Sequence, residues 1–169
     1  MFAEILVLGA LPLLLAAAAG WDIASFTIPN FLPLTLLALF ALFAAVAGLS
    51  IPLIGWHLVA GLLGLFIGFT LFALGHIGGG DAKLFAAVVL WLGLKEFLPY
   101  ALVASVLGGA LALGLMLLRQ WPLPGFLLRR DWIVKLHDSK SGIPYGVALV
   151  AGAFILLPST EIFRLAAAV

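Results

Sequence analysis

Asp22 closes an apolar run in the stretch Trp21-Asp22-Ile23-Ala24-Ser25-Phe26-Thr27-Ile28-Pro29-Asn30. Asp81 follows three glycines in Gly75-His76-Ile77-Gly78-Gly79-Gly80-Asp81-Ala82-Lys83-Leu84. A carboxylate at the edge of a bilayer is a functional candidate by default, because an ionisable group at the membrane centre costs roughly 2.5–3.5 kcal/mol on insertion scales. Singly, each has an ordinary explanation: Asp22 as a solvated interfacial carboxylate, Asp81 as a helix cap accepting from free N–H groups. Together they can do chemistry. Two carboxylates close together in a low-dielectric site cannot both ionise comfortably, so they share one proton and provide one acid and one base near neutral pH. The base activates a water and the acid protonates the carbonyl or the leaving amine, which is peptide hydrolysis without metal or covalent intermediate. The glycines before Asp81 accept backbone angles closed to other residues and let another segment approach closely.

The segments that must position this pair are membrane helices. Of the 169 residues, 66% are hydrophobic and 9% charged, whereas a soluble domain carries about 25% charged residues. The expected fold is therefore all-α, a polytopic integral membrane protein forming a single domain over 1–169. About 20 apolar residues cross the hydrocarbon core. On that scale six transmembrane helices are expected, over Ile5 to Trp21, Phe31 to Leu49, Gly55 to Leu74, Ala82 to about Leu94, Tyr100 to Leu118 and Ile143 to about Phe163. The first apolar run lacks the basic leading region of a signal peptide, so it reads as a retained helix. With no cysteine there is no disulfide, thiolate metal site or cysteine nucleophile.

Lysine and arginine set the orientation. With both termini outside, the inner connections hold Lys83, Arg119, Arg129, Arg130, Lys135 and Lys140, and the outer ones only Lys95 and Arg164. Asp22 and Asp81 then share the cytoplasmic face. The fourth helix is short: 13 residues from Ala82 span about 20 Å against a core of about 30 Å. Either it continues to Leu98 or its inner end lies below the membrane surface, drawing Asp81 into a protein-lined cavity. The loop 119–142 is expected to carry a short interfacial helix, with Leu128, Trp132 and Leu136 on its apolar face. Trp21, Trp56, Trp91 and Tyr100 read as interfacial aromatics, and the glycines at 61, 64, 68, 108, 109 and 114 as packing surfaces.

Other side chains carry less. Lys83 is an inside charge that favours an ionised Asp81, and His76 with the two aspartates would make a poor metal set. His57 reads as structural and His137 as solvated. No serine has an accompanying base, and no nucleotide fingerprint appears. No cofactor, metal or nucleic-acid partner is expected. The rival classes are a proton- or cation-coupled transporter using the same aspartates, and a non-catalytic scaffold in which they only cap and pack.

Gly78-Gly79-Gly80-Asp81-Ala82-Lys83-Leu84 resembles the G-x-G-D-x-K-L signature of type IV prepilin peptidases, a group of membrane aspartyl proteases. Asp22 ahead of Ile28-Pro29-Asn30 is similar to that family's other motif, and Leu90-Trp91-Leu92-Gly93 and Ile143-Pro144-Tyr145-Gly146 also resemble it. The resemblance implies catalytic roles for Asp22 and Asp81, with Gly78, Gly80, Lys83, Pro29 and Asn30 in support. It also implies removal of a short basic leader from prepilins or pseudopilins at the cytoplasmic face of the bacterial inner membrane. The substrate would present an apolar helix beside its cleavage site. Longer family members carry a cysteine-bearing N-terminal extension and methylate the new terminus. This chain opens in an apolar helix and has no cysteine, so it is similar to the short, peptidase-only branch that processes tight-adherence (Flp-type) pilins.

Overall fold

The computed structural model describes residues 2–167, and every regular element among them is helical. Helix α1 runs over Phe2–Ser25, with a π-helical stretch at Ile5–Ala10. It is followed by α2 (Phe31–Val46), α3 (Ile51–Ala73), α4 (Gly79–Leu92), α5 (Leu94–Leu118), α6 (Asp131–His137), α7 (Tyr145–Leu156) and α8 (Glu161–Ala167). Three of these, α1, α3 and α5, are long and apolar enough to cross a membrane; α7 and α8, bent by 60° across a short break, would make a fourth as a pair. Helix α2 is apolar but shorter.

Helix α4 is the centre of the bundle. Ala82, Leu84 and the whole run from Ala87 to Leu92 are buried, as expected of a helix that is apolar on every side. It lies antiparallel against α3 along the glycines 61, 64 and 68. A Cβ at Gly68 would stand 3.0 Å from the Ala82 carbonyl oxygen and 3.1 Å from its Cα, and one at Gly64 would stand 3.2 Å from Ala86 Cα. The two helices therefore meet backbone to backbone, a closeness that only small residues permit. Of the other glycines expected to pack, Gly108 meets the Tyr145 ring, while Gly109 and Gly114 have nothing within 4 Å.

Two aromatic residues expected at the membrane interface are core residues instead. Trp91 is 1% exposed and donates its indole N–H to the Leu36 carbonyl at 3.0 Å, wedged between Phe40 and Phe43. Tyr100 is fully buried and donates to the Leu149 carbonyl at 3.1 Å, tying α5 to α7. Each polar tip found a backbone acceptor inside the bundle, which removes the need for a wet interface. Trp21 and Trp56 are exposed as expected.

The fourth helix does not run straight through to Leu98. Gly93 adopts φ +83°, outside the range a helix accepts, and the chain turns there into the 3-10 turn Leu94–Glu96 that opens α5. At 14 residues, α4 spans about 21 Å, still short of the hydrocarbon core. The loop helix is also shorter than expected, covering Asp131–His137 and leaving Leu128 in the preceding turn. Arg119 anchors the end of that loop, donating to the Leu136 and Gly142 carbonyls at 2.9 Å each.

Because the α3–α4 contact is made by backbone, it has little freedom to relax. Gly68→Leu should destabilise the protein by about 1–3 kcal/mol, the usual range for overpacking. Gly114→Ala should stay within about 0.5 kcal/mol, as a substitution that meets nothing. Thermal unfolding of the two variants in the same detergent compares them directly; equal melting temperatures would contradict the close packing.

Candidate active site

Asp22 sits one turn before the end of α1. The helix closes when Phe26 turns left-handed, at φ 57°, and its N–H returns to the Asp22 carbonyl at 2.8 Å. A non-glycine residue in that conformation is uncommon. It turns the chain sharply, so that Ile28 comes back across the helix end before α2 begins.

Ile28 is the clasp between the site's elements. A Cβ at Gly80 would stand 3.0 Å from Ile28 Cβ and 3.2 Å from its backbone nitrogen, and a Cβ at Gly146 would stand 2.9 Å from Ile28 Cδ1. The segment from α1 to α2 therefore lies directly against the first turns of α4 and α7. Pro29 accepts the Leu32 N–H at 3.1 Å and starts α2. Beside it, Lys83 donates to Asn30 Oδ1 at 2.8 Å. Lys83 was expected to favour the ionised Asp81; its observed polar contact is with Asn30, so it ties α4 to the start of α2.

Asp81 occupies the first turn of α4. Its Oδ2 accepts the Gly78 N–H at 3.2 Å, so the capping role considered from the sequence is present. A Cβ on Gly78 would lie 2.9 Å from that same oxygen, and one on Gly79 would lie 3.3 Å from the Phe72 ring. With Gly80 against Ile28, each of the three glycines leaves room for a different neighbour. Capping does not satisfy the whole carboxyl: Asp81 Oδ1 is buried without a hydrogen-bond partner. An oxygen left so has its desolvation uncompensated until a donor reaches it.

The two carboxylates meet at the start of α7. Asp22, only 4% exposed, accepts the Gly146 N–H at 2.7 Å. The turn that carries Asp81 reaches the same place, because Gly80 and Gly146 both press on the Ile28 side chain. Sequence reasoning identified both aspartates but gave Gly146 no role. The Pro144-Tyr145-Gly146 break before an apolar run marks a helix start, and nothing in it names the acid that the helix would meet.

A cavity of about 380 Å³ opens beside Asp81 between α3, α5 and α7. Gly68, Ala104, Ser105, Gly108 and Tyr145 line it, with His76 at the connection between α3 and α4; Asp81 lines it and Asp22 does not. Ser105 donates to the Ala101 carbonyl of its own helix, so its hydroxyl is already engaged. Among the described residues no three histidine, cysteine or acidic side chains form a group able to hold a metal. His76 is thus not gathered with the two aspartates into such a set. His57 is buried against the Leu90 carbonyl at 2.7 Å, in line with a structural role. An acid pair with one buried, unpartnered oxygen on an apolar cavity can polarise a carbonyl and activate a water.

Residues 9–113 match the model of the type IV leader peptidase family, a span that includes both aspartates. The chain is also similar to the prepilin leader peptidase/N-methyltransferase of Bacillus subtilis (strain 168), with 38% identity over 121 residues. That alignment covers 66% of this chain and 46% of the relative, so the chain spans about half the length of the curated protein it matches. No solved structure matches significantly. With its acid-bearing segments inside the matched span, the chain belongs to the type IV leader peptidase family.

Proposed function

We propose that this protein is a membrane aspartyl endopeptidase that removes the leader from prepilins or pseudopilins, with Asp22 and Asp81 as its catalytic pair. The observation that carries the reading is that the two acid-bearing segments meet at Ile28 and the start of α7, where Asp22 accepts the Gly146 N–H and Asp81 lines the adjoining cavity. Family membership supports the substrate class. With six spans in one domain, the charge asymmetry of the connections supports both termini outside and the acid pair at the cytoplasmic face. The cavity's apolar walls suit a substrate whose cleavage site adjoins an apolar helix. Methyl transfer, which the relative's name includes, forms no part of this proposal.

In the reaction, the ionised carboxylate takes a proton from water as the oxygen attacks the scissile carbonyl carbon. The protonated carboxyl donates to the carbonyl oxygen, giving a tetrahedral diol. When that collapses, one diol hydroxyl gives its proton to the ionised carboxylate as the C–N bond breaks, and the leaving amine takes a proton from the other carboxyl. One shared proton serves both stages, so the pair must hold one proton to act. Loss or gain of a proton stops it, giving a bell-shaped pH–rate profile whose two limbs belong to the pair and not to either residue.

Asp22→Asn and Asp81→Asn, expressed with a prepilin substrate, should each lower kcat by about 10³-fold while the protein still inserts, since acid–base groups contribute 10²–10⁴-fold. Normal processing by either variant would remove the pair from the mechanism. Cleavage should persist in the presence of chelator; its abolition, with recovery on adding a divalent cation, would point to a metal peptidase. Lys83→Met should reduce kcat by less than about tenfold, because Lys83 braces Asn30 and does not transfer a proton. Proton or cation flux lost in the aspartate variants, with no processing in wild type, would favour a transporter.

A further inference from the structure

We propose that Gly146 is the positioning residue of the acid pair: its N–H holds the Asp22 carboxylate in place, and its lack of a side chain lets that carboxylate reach the end of α7. The inference deepens the peptidase reading and rests on it for its kinetic test.

The backbone donors at the start of α7 are accounted for one by one. Pro144 has none, the Tyr145 N–H turns back to the Ile143 carbonyl at 2.9 Å, and the Val147 N–H goes to the Pro144 carbonyl at 3.2 Å. Gly146 alone among these points away from its own segment, to Asp22 Oδ2 at 2.7 Å. A methyl group there would stand 2.8 Å from that oxygen, closer than settled Cβ contacts come, and 3.1 Å from Asp22 Cγ. Gly152, six residues on in the same helix, differs. A Cβ there would meet the Tyr100 ring at 3.3 Å and Ala104 at 3.5 Å, with no carboxylate nearby. The titratable groups around the pair are His76 and Tyr145, which line the cavity with Asp81, and Lys83, which is bonded to Asn30. The N–H of Gly146 is the donor at this helix start committed to Asp22.

Prepilin cleavage by Gly146→Ala should show kcat reduced about tenfold or more, as expected of a small misplacement of a reacting group. KM should change by less than about twofold, and the pH–rate profile should be displaced from that of wild type. Packing alone could mimic the loss of rate, because the new methyl also meets Ile28 Cδ1 at 2.9 Å. Ile28→Val deletes that carbon and leaves the Asp22 contact, so Gly146→Ala with Ile28→Val should remain slow relative to Ile28→Val alone. Restoration of the rate in the double variant, or an unaltered rate and profile in Gly146→Ala, would overturn the proposal. A second measurement needs no activity and uses protein labelled with ¹⁵N-glycine. The Gly146 amide resonance should move with pH as the pair titrates, and that movement should vanish in Asp22→Asn. A resonance that ignores pH would also overturn the proposal. Should wild type cleave no prepilin, the peptidase reading fails by itself, and the amide resonance still decides the role of Gly146.

Discussion

Two acidic side chains withdrawn from water into an apolar bundle lose their hydration and repel each other at once. Such an arrangement persists only where backbone donors and close packing hold it. Here Gly78 supplies one N–H to Asp81, and Gly146 supplies another to Asp22. The rest of the bundle can be understood as the scaffold that brings those two donors to the same point. Helix α4 is buried around nearly its whole circumference after its first turn, so that turn cannot drift. Ile28 fills the space between the two glycine-bearing helix starts.

Glycine does this by leaving space rather than by bending. At Gly78, Gly80 and Gly146 an added Cβ would collide with a carboxylate oxygen or with Ile28, and at Gly64 and Gly68 with the backbone of α4. These positions form two sets with distinct tasks. The residues at 64 and 68 draw α3 onto α4 and set the depth of Asp81 in the bundle. Those at 78, 80 and 146 allow the acids and the intervening loop to come together. Apolar association inside a membrane has no hydrophobic drive between helices, so close van der Waals contact carries much of the packing.

The cavity is asymmetric with respect to the pair, since Asp81 lines it and Asp22 lies behind. That places the two acids in unequal surroundings, the usual condition for dividing acid and base roles between chemically identical groups. Small residues along its walls, Gly68, Ala104, Ser105 and Gly108, keep the cavity open beside Asp81.

Much of this was legible in the residues. Hydropathy alone shows the helical membrane class, because a bilayer forces backbone polar groups to be satisfied within each spanning segment. The two aspartates stood out only as a pair, since either alone reads as a solvated or a capping carboxylate. The fates of Trp91, Tyr100 and Lys83 were not. Each has a polar tip on an apolar stem, and the sequence cannot tell whether that tip meets water or a neighbouring helix. Only the tertiary structure brought the Leu36 and Leu149 carbonyls and Asn30 Oδ1 within reach of them. Gly146 is the sharpest case. Hydrogen-bond partners distant along the chain leave no periodic trace in it, so a backbone donor aimed at Asp22 exists only once the helices have packed.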